Sequence, residues 1–160
     1  MNRIPRVLTV ICNAQSKFNQ NTKKIIRNCD LTKKGKKQAR KLEGEYDMIF
    51  VSPLKRCLQT LHYSKIIAPK IEVSSLIREF KEDPCDFFKD EEFKQENKRD
   101  VFKRINNFKE VINNLPVEYN KICVITHRDF IWNFTSYSRG GLGIFGYYLE
   151  NADSIILIED

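Results

Sequence analysis

Asp47 to Thr60 reads DMIFVSPLKRCLQT, and this stretch decides the fold. Met48, Ile49, Phe50 and Val51 form a continuous apolar run, the pattern of a short strand buried on both faces of a parallel sheet. A helix is predicted to start directly after it. Ser52 suits the N-cap and Pro53 the first helical position, where its missing N–H costs nothing; Leu54, Leu58 and Leu61 then recur at helical spacing. Arg56 falls in the first turn of that helix. A helix start just beyond the carboxyl end of a strand offers unpaired N–H groups and partial positive charge, and a guanidinium added there makes an anion site. The competing reading is an exposed arginine on an amphipathic helix.

Working outward, the same strand-then-turn pattern recurs. Arg6 to Cys12, with Val7, Leu8, Val10 and Ile11, is predicted as a first, central strand that ends in the polar turn CNAQSKFNQN. LTKKGKKQARKL follows as a helix with Thr32 as its N-cap. After a helix from Pro53 to Ile66, Lys70 to Ser74 reads as a third strand leading to Glu79. Phe80 to Arg99 is charged and turn-rich with Pro84 in its middle, and we expect a surface excursion or lid there. Val101, Ile105, Phe108, Ile112 and Leu115 mark the clearest helix, which Pro116 stops. KICVIT, Lys121 to Thr126, is a fourth buried strand; His127 stands at its end, and Arg128 to Tyr137 starts another helix that Gly140, Gly141 and Gly143 break. Ser154 to Ile158 is a final apolar strand. Strands and helices alternating in this way predict a three-layer α/β/α sandwich around a mostly parallel sheet, with function at the strand carboxyl ends.

Composition narrows the class. At 160 residues the chain is expected to form a single domain, residues 1–160, burying roughly two thirds of its unfolded surface without disulfide or metal. No apolar run approaches the ~20 residues of a membrane span, and Met1 to Val10 is too short and polar for a secretory signal, so we expect a cytoplasmic location. Five scattered cysteines without a CxxC pair, beside only two histidines, predict reduced thiols, no metal and no cofactor. The net charge of +7 is uneven: ten Lys or Arg between Lys17 and Lys41 face the single Asp30, a local +9 that leaves −2 elsewhere. Such a segment suits nucleic acid or an acidic partner. A solvated helix face is the simpler reading, because no base-stacking aromatics interleave the lysines.

The strand-end rule selects Cys12, Asn13, Gln15, Ser16 and Asn19 after the first strand, Arg56 after the second, Glu79 after the third and His127 after the fourth. LTKKGKKQA, SPLKRCLQT, Glu79 and THRDF, taken in this order, resemble the signature of the histidine phosphatase superfamily, also called phosphoglycerate-mutase-like. The resemblance spans nearly the whole chain. It is similar in length to the short branch that includes phosphohistidine phosphatases. In that family a strand ends in Arg-His-Gly, whose histidine attacks phosphorus; two arginines and a second histidine grip the phosphoryl oxygens, and an acid protonates the leaving group. By resemblance Arg56 matches the second arginine, Glu79 the acid, His127 the second histidine, and Gln15, Ser16 and Asn19 the polar residues after the nucleophile.

The departure lies at the first strand end, where Cys12, Asn13 and Ala14 replace Arg-His-Gly. Asn13 cannot form a phosphoramidate, because its amide nitrogen is delocalised into the carbonyl. Arg128 and Asp129 also stand where glycines commonly follow the second histidine; Arg128 could replace the lost charge, while Asp129 would repel an anion. Cys12 as a thiolate nucleophile would need nearby positive charge, and its one-residue offset along a strand turns it toward the opposite face. We therefore expect a catalytically degenerate phosphatase, a pseudoenzyme binding a phosphorylated small molecule or a phosphoprotein. Two alternatives stand beside it: a phosphatase of altered mechanism through Cys12 or His127, and a basic nucleic-acid-binding module using Lys17 to Lys41.

Overall fold

Alternation along two strands sets the layers. In the computed structural model, which describes residues 5–21, 26–138 and 146–159, Met48 and Phe50 face one side of the sheet, and Ile49 and Val51 face the other. Ile122 and Val124 divide from Cys123 and Ile125 in the same way. All eight are essentially inaccessible to solvent, as expected of strands covered on both faces.

In chain order the elements are β1 (Arg6–Cys12), α1 (Lys17–Gln20), α2 (Lys33–Arg40), β2 (Glu43–Glu45), β3 (Met48–Val51), α3 (Lys55–Tyr63), β4 (Lys65–Ile67), β5 (Ile71–Val73), α4 (Lys98–Asn113), β6 (Lys121–Thr126), α5 (Arg128–Ser138) and β7 (Ser154–Glu159). The main sheet runs β5-β3-β6-β1-β7, with β7 antiparallel to β1 and the other pairs parallel. The architecture is a three-layer α/β/α sandwich with a mostly parallel sheet. Val101, Ile105, Phe108 and Ile112 of α4 pack with Phe130, Ile131 and Phe134 of α5 on one face, where Phe50 meets Phe108 edge-on at 5.3 Å between ring centroids. Cys57 of α3 and Ile66 join the core on the other face. Among the described residues no helix is long and apolar enough to cross a membrane.

Several expectations need correction. The middle strand is β6; β1 lies one place over, because β7 returns antiparallel along its outer side. The predicted helix from Pro53 to Ile66 is shorter at both ends. Its N-cap is Leu54, whose extended backbone precedes Lys55, and it stops at Tyr63 because Lys65–Ile67 pairs instead with β2. Ser52 is not the cap, although its hydroxyl still accepts from the Leu54 N–H at 3.4 Å. The Lys55 N–H is met by Asn28 Oδ1 at 2.8 Å, a partner distant in sequence that no local pattern announces. Nor does Leu58 face inward: it is 37% exposed, and the buried stripe of α3 is Arg56, Cys57 and Thr60. β2 and β4 add a second, two-stranded sheet outside the sequence pattern, since EGE carries no apolar signal.

Phe80 to Arg99 is no simple excursion. Cys85, Asp86 and Phe87 turn inward and are buried, and the segment is tied down by Arg78 to Glu91 at 2.7 Å and Arg104 to Glu96 at 2.8 Å. The glycine break after α5 falls outside the described residues, as do Lys23 and Lys24 of the basic segment. Thr32 does cap α2, its Oγ1 accepting from the Gly35 N–H at 3.0 Å.

Candidate functional site

Four chain segments end at the same edge of the sheet. β1 delivers Cys12 and Asn13, the start of α3 delivers Arg56, the turn after β5 delivers Glu79, and the start of α5 delivers Arg128 and Asp129. They surround a cavity of ≈ 150 Å³ whose lining also includes Ser16, Phe18, Asn19, Asp83, Cys85, Asp86 and Asn151.

At the end of β1, Asn13 is held by backbone and side chain together. Its N–H donates to the Thr126 carbonyl at 2.9 Å, and its Nδ2 donates to the Ala14 carbonyl at 2.8 Å. Ala14 donates in turn to Thr60 Oγ1 at 3.0 Å, fastening the turn to α3. Ser16 and Asn19 line the cavity as a reciprocal cap on α1, with Asn19 Oδ1 also accepting from Asn151. Gln15 does not line it; its Oε1 accepts from Thr32 Oγ1 at 2.7 Å, facing α2.

Arg56 is buried and already occupied. Nη2 contacts Asp86 Oδ1 at 2.8 Å and Nη1 donates to the Cys85 carbonyl at 2.8 Å. The other Asp86 oxygen accepts from the Glu82 and Asp83 N–H groups, so both oxygens of this carboxylate are engaged. Two oxygens, one carboxylate and one carbonyl, sit where a guanidinium would grip an anion.

Glu79 spans to the start of α5. Its Oε1 accepts from Phe80 and Phe130, each at 2.9 Å, and its Oε2 from the Asp129 N–H at 3.2 Å. Burial, then the charges of Asp129 and Asp86, push it up to about 8 despite those hydrogen bonds, so at neutral pH it holds a proton. His127 goes the other way. It is fully buried, lies outside the cavity lining, and pairs its Nε2 with Ser52 Oγ at 2.7 Å and Cys57 Sγ at 3.4 Å. Burial, then the charges of Arg56, Arg104 and Arg78, hold it well below the ordinary histidine range, so the imidazole is neutral.

Cys12 does reach the cavity wall, contrary to the expectation that its offset turns it away, and it does so from the same sheet face as Leu8 and Val10. Its thiol is pushed up to about 12, first by burial and then by Glu79, and stays protonated. Arg128 lines the cavity, with Nε donating to the Leu149 carbonyl at 2.9 Å, Nη2 to Glu150 Oε2 at 3.3 Å, and its guanidinium over the Tyr148 ring. Asp83, Cys85, Asp86 and Asn151 were missed in the sequence. Asp86 lies in a mixed-charge run where no periodicity singles it out; only Asp83-Pro84, a turn signal, marks the place. Among the described residues no group of three or more His, Cys, Asp or Glu could hold a metal ion.

The five-stranded, mostly parallel sheet flanked by helices defines a fold class: this is the phosphoglycerate-mutase-like fold. Among particular structures, the chain is similar to the alpha-ribazole phosphatase from Shigella flexneri, with a TM-score of 0.74 and 14% identity over 94% of this chain and 89% of that one. It is also similar to phosphoglycerate mutase from Thermus thermophilus, with a TM-score of 0.65 and 15% identity over 94% and 92%. The protein histidine phosphatase SixA, solved with tungstate, aligns at a TM-score of 0.60 and 14% identity over 94% and 86%. Identities this low speak for the fold alone. No family model and no curated protein matches the chain.

Proposed function

We propose that this chain is a pseudophosphatase, a histidine-phosphatase fold that binds a phosphorylated small molecule or phosphoprotein without hydrolysing it. The observation that carries the proposal is the state of the anion site. Position 13 offers a carboxamide in place of a nucleophile, while Arg56 remains at the cavity with its guanidinium matched to an internal carboxylate. Asp86 acts as a resident substitute for phosphoryl oxygens, and a ligand binds by taking its place. A phosphate dianion brings more charge than the single carboxylate it displaces. Glu79, held protonated, adds a donor without adding repulsion.

An altered phosphatase mechanism finds little support in the same geometry. Cys12 keeps its proton, and His127 is sealed behind Ser52 and Cys57. The test pairs two measurements on the purified chain: turnover of phosphomonoester and phosphohistidine substrates, and calorimetric binding of tungstate or phosphate. No turnover is expected, together with weak anion binding that Arg56→Ala reduces. Losing a charge-assisted hydrogen bond to the anion corresponds to about 1.5 to 3 kcal/mol. Unchanged binding in the variant would place the anion elsewhere, and sustained turnover would end the pseudoenzyme reading.

A further inference from the structure

Among the described residues no cation of the basic segment lines the cavity, and the fold divides the run. Lys17 reaches Asp30 at 4.0 Å, and Arg27 donates to the Phe88 and Glu91 carbonyls. Lys33, Lys34, Lys36, Lys37, Arg40 and Lys41 belong to α2 and its C-cap. No ion pair among the described residues includes any of them, whereas Arg56, Arg78, Arg104 and Arg128 each meet a carboxylate. Glu43, just beyond α2, lies opposite Lys65 in the β2–β4 register.

Helix geometry gathers these cations on one side. At about 3.6 residues per turn they fall within roughly 160° of arc, opposite the buried Gly35 and Ala39. Five are exposed and Lys36 is half-buried. Lys36 Nζ and Arg40 Cζ lie over the Tyr63 ring of α3, 5.2 and 5.4 Å from its centroid, so an aromatic face holds both side chains in position. The arrangement works against the helix itself. Lys33, Lys37 and Lys41, and likewise Lys36 and Arg40, repeat at four-residue spacing, where like charges repel, and Lys33 and Lys34 sit at the positive end of the helix dipole.

We propose that this face of α2 binds the sugar-phosphate backbone of double-stranded nucleic acid, without sequence selectivity and apart from the cavity. Lys33 to Lys41 spans about 12 Å of helix axis, one cation per ~2 Å, close to the ~1.7 Å per phosphate charge of a duplex. An acidic protein surface matches that density only with a carboxylate at nearly every helical position. The lack of base-stacking aromatics in the run counts against a single-strand site, but a duplex keeps its bases stacked and presents phosphates. An anionic bilayer is a poorer match, because the exposed arc of α2 carries no apolar side chain to insert. Lysines act here as hydrated point charges, which contact phosphates without reading base edges.

The test is fluorescence anisotropy of the full chain with a labelled, mixed-sequence duplex at a series of salt concentrations. The duplex carries no terminal phosphates, which keeps the Arg56 cavity out of the measurement. Binding should weaken steeply with salt, with a slope of log K against log salt of about −4, as expected for four or five phosphates. Lys33→Gln with Lys37→Gln, both exposed, should weaken binding on the order of tenfold and make the slope shallower by about 2. Should that variant melt early, Lys34→Gln with Lys41→Gln, also exposed, gives the same reading. No duplex binding at low salt, a wild-type slope in the folded variants, or equal binding to poly-glutamate or to phosphatidylserine vesicles overturns the proposal.

Discussion

Arg56 and Asp86 form a buried ion pair beside the cavity, Nη2 to Oδ1 at 2.8 Å, with side chains 6% and 5% exposed. Each charge is stranded without the other, because removing one partner of a buried pair leaves an uncompensated ion at a cost of about 3 to 5 kcal/mol. The pair therefore joins the stability of the chain to the availability of the Arg56 guanidinium at the cavity.

Asp86→Asn should separate those two effects. In the absence of ligand the variant is expected to lose about 3 to 5 kcal/mol by urea denaturation, since Arg56 is left buried without its counter-charge. In phosphate or tungstate it should recover more stability than wild type does, approaching about 2.7 kcal/mol at a hundred times the dissociation constant. Equal anion-induced shifts in the two proteins would show that Asp86 does not guard the site.

Gly35→Ala tests how the first turn is held. A Cβ at Gly35 would collide with the Gln15 carbonyl oxygen, which already accepts from the Thr32 N–H at 3.0 Å. That backbone cannot yield without moving the turn that carries Asn13 and Ser16. Destabilisation of about 1 to 3 kcal/mol is expected, against near zero for the exposed Lys34→Ala, with thermal melting as the readout. A silent Gly35→Ala would mean that α2 and the turn are less closely packed.

These contacts explain how much could be read in advance. The apolar runs of β1, β3 and β6 and the helical spacing of α4 locate the sheet, its covering helices and the strand ends, because burial on two faces leaves a direct imprint on residue type. Strand ends place a residue near the cavity but do not fix where its side chain points. Gln15 turns to Thr32, and His127 turns to Ser52 and Cys57. Asn28 capping α3 and Asp86 meeting Arg56 are pairings over long sequence separation, and no local periodicity encodes them.

Glu79 gives the chain a pH signature. Its carboxyl rises from 4.5 to about 8 on folding, so between those values the folded state holds a proton that the unfolded state has released. Stability attributable to Glu79 therefore falls as pH rises through that window, by at most about 1.4 kcal/mol per pH unit, and is level outside it. Glu79→Gln should flatten this part of the profile, measured as unfolding free energy at successive pH values. A variant with the wild-type slope would assign the titration to other groups.

Asn13→His alone is expected to leave phosphomonoester hydrolysis at background. An imidazole at position 13 would supply a nucleophile, but the developing charge on phosphorus still needs donors, and Arg56 spends both terminal nitrogens on Cys85 and Asp86. Position 12 offers a protonated thiol instead of a second guanidinium. Losing one preorganised donor costs about 100- to 1000-fold in rate, and groups that act as a unit fail together, so single repairs should be masked by the remaining defects. Cys12→Arg with Asn13→His and Ala14→Gly should restore some turnover, and adding Asp86→Asn should raise it further by releasing Arg56. Glu79, protonated at neutral pH, is already suited to protonate a leaving group. Hydrolysis of p-nitrophenyl phosphate checks the series: strong activity from Asn13→His alone would refute the role given to Asp86, and wild-type activity lost in Cys12→Ser would restore the thiolate mechanism.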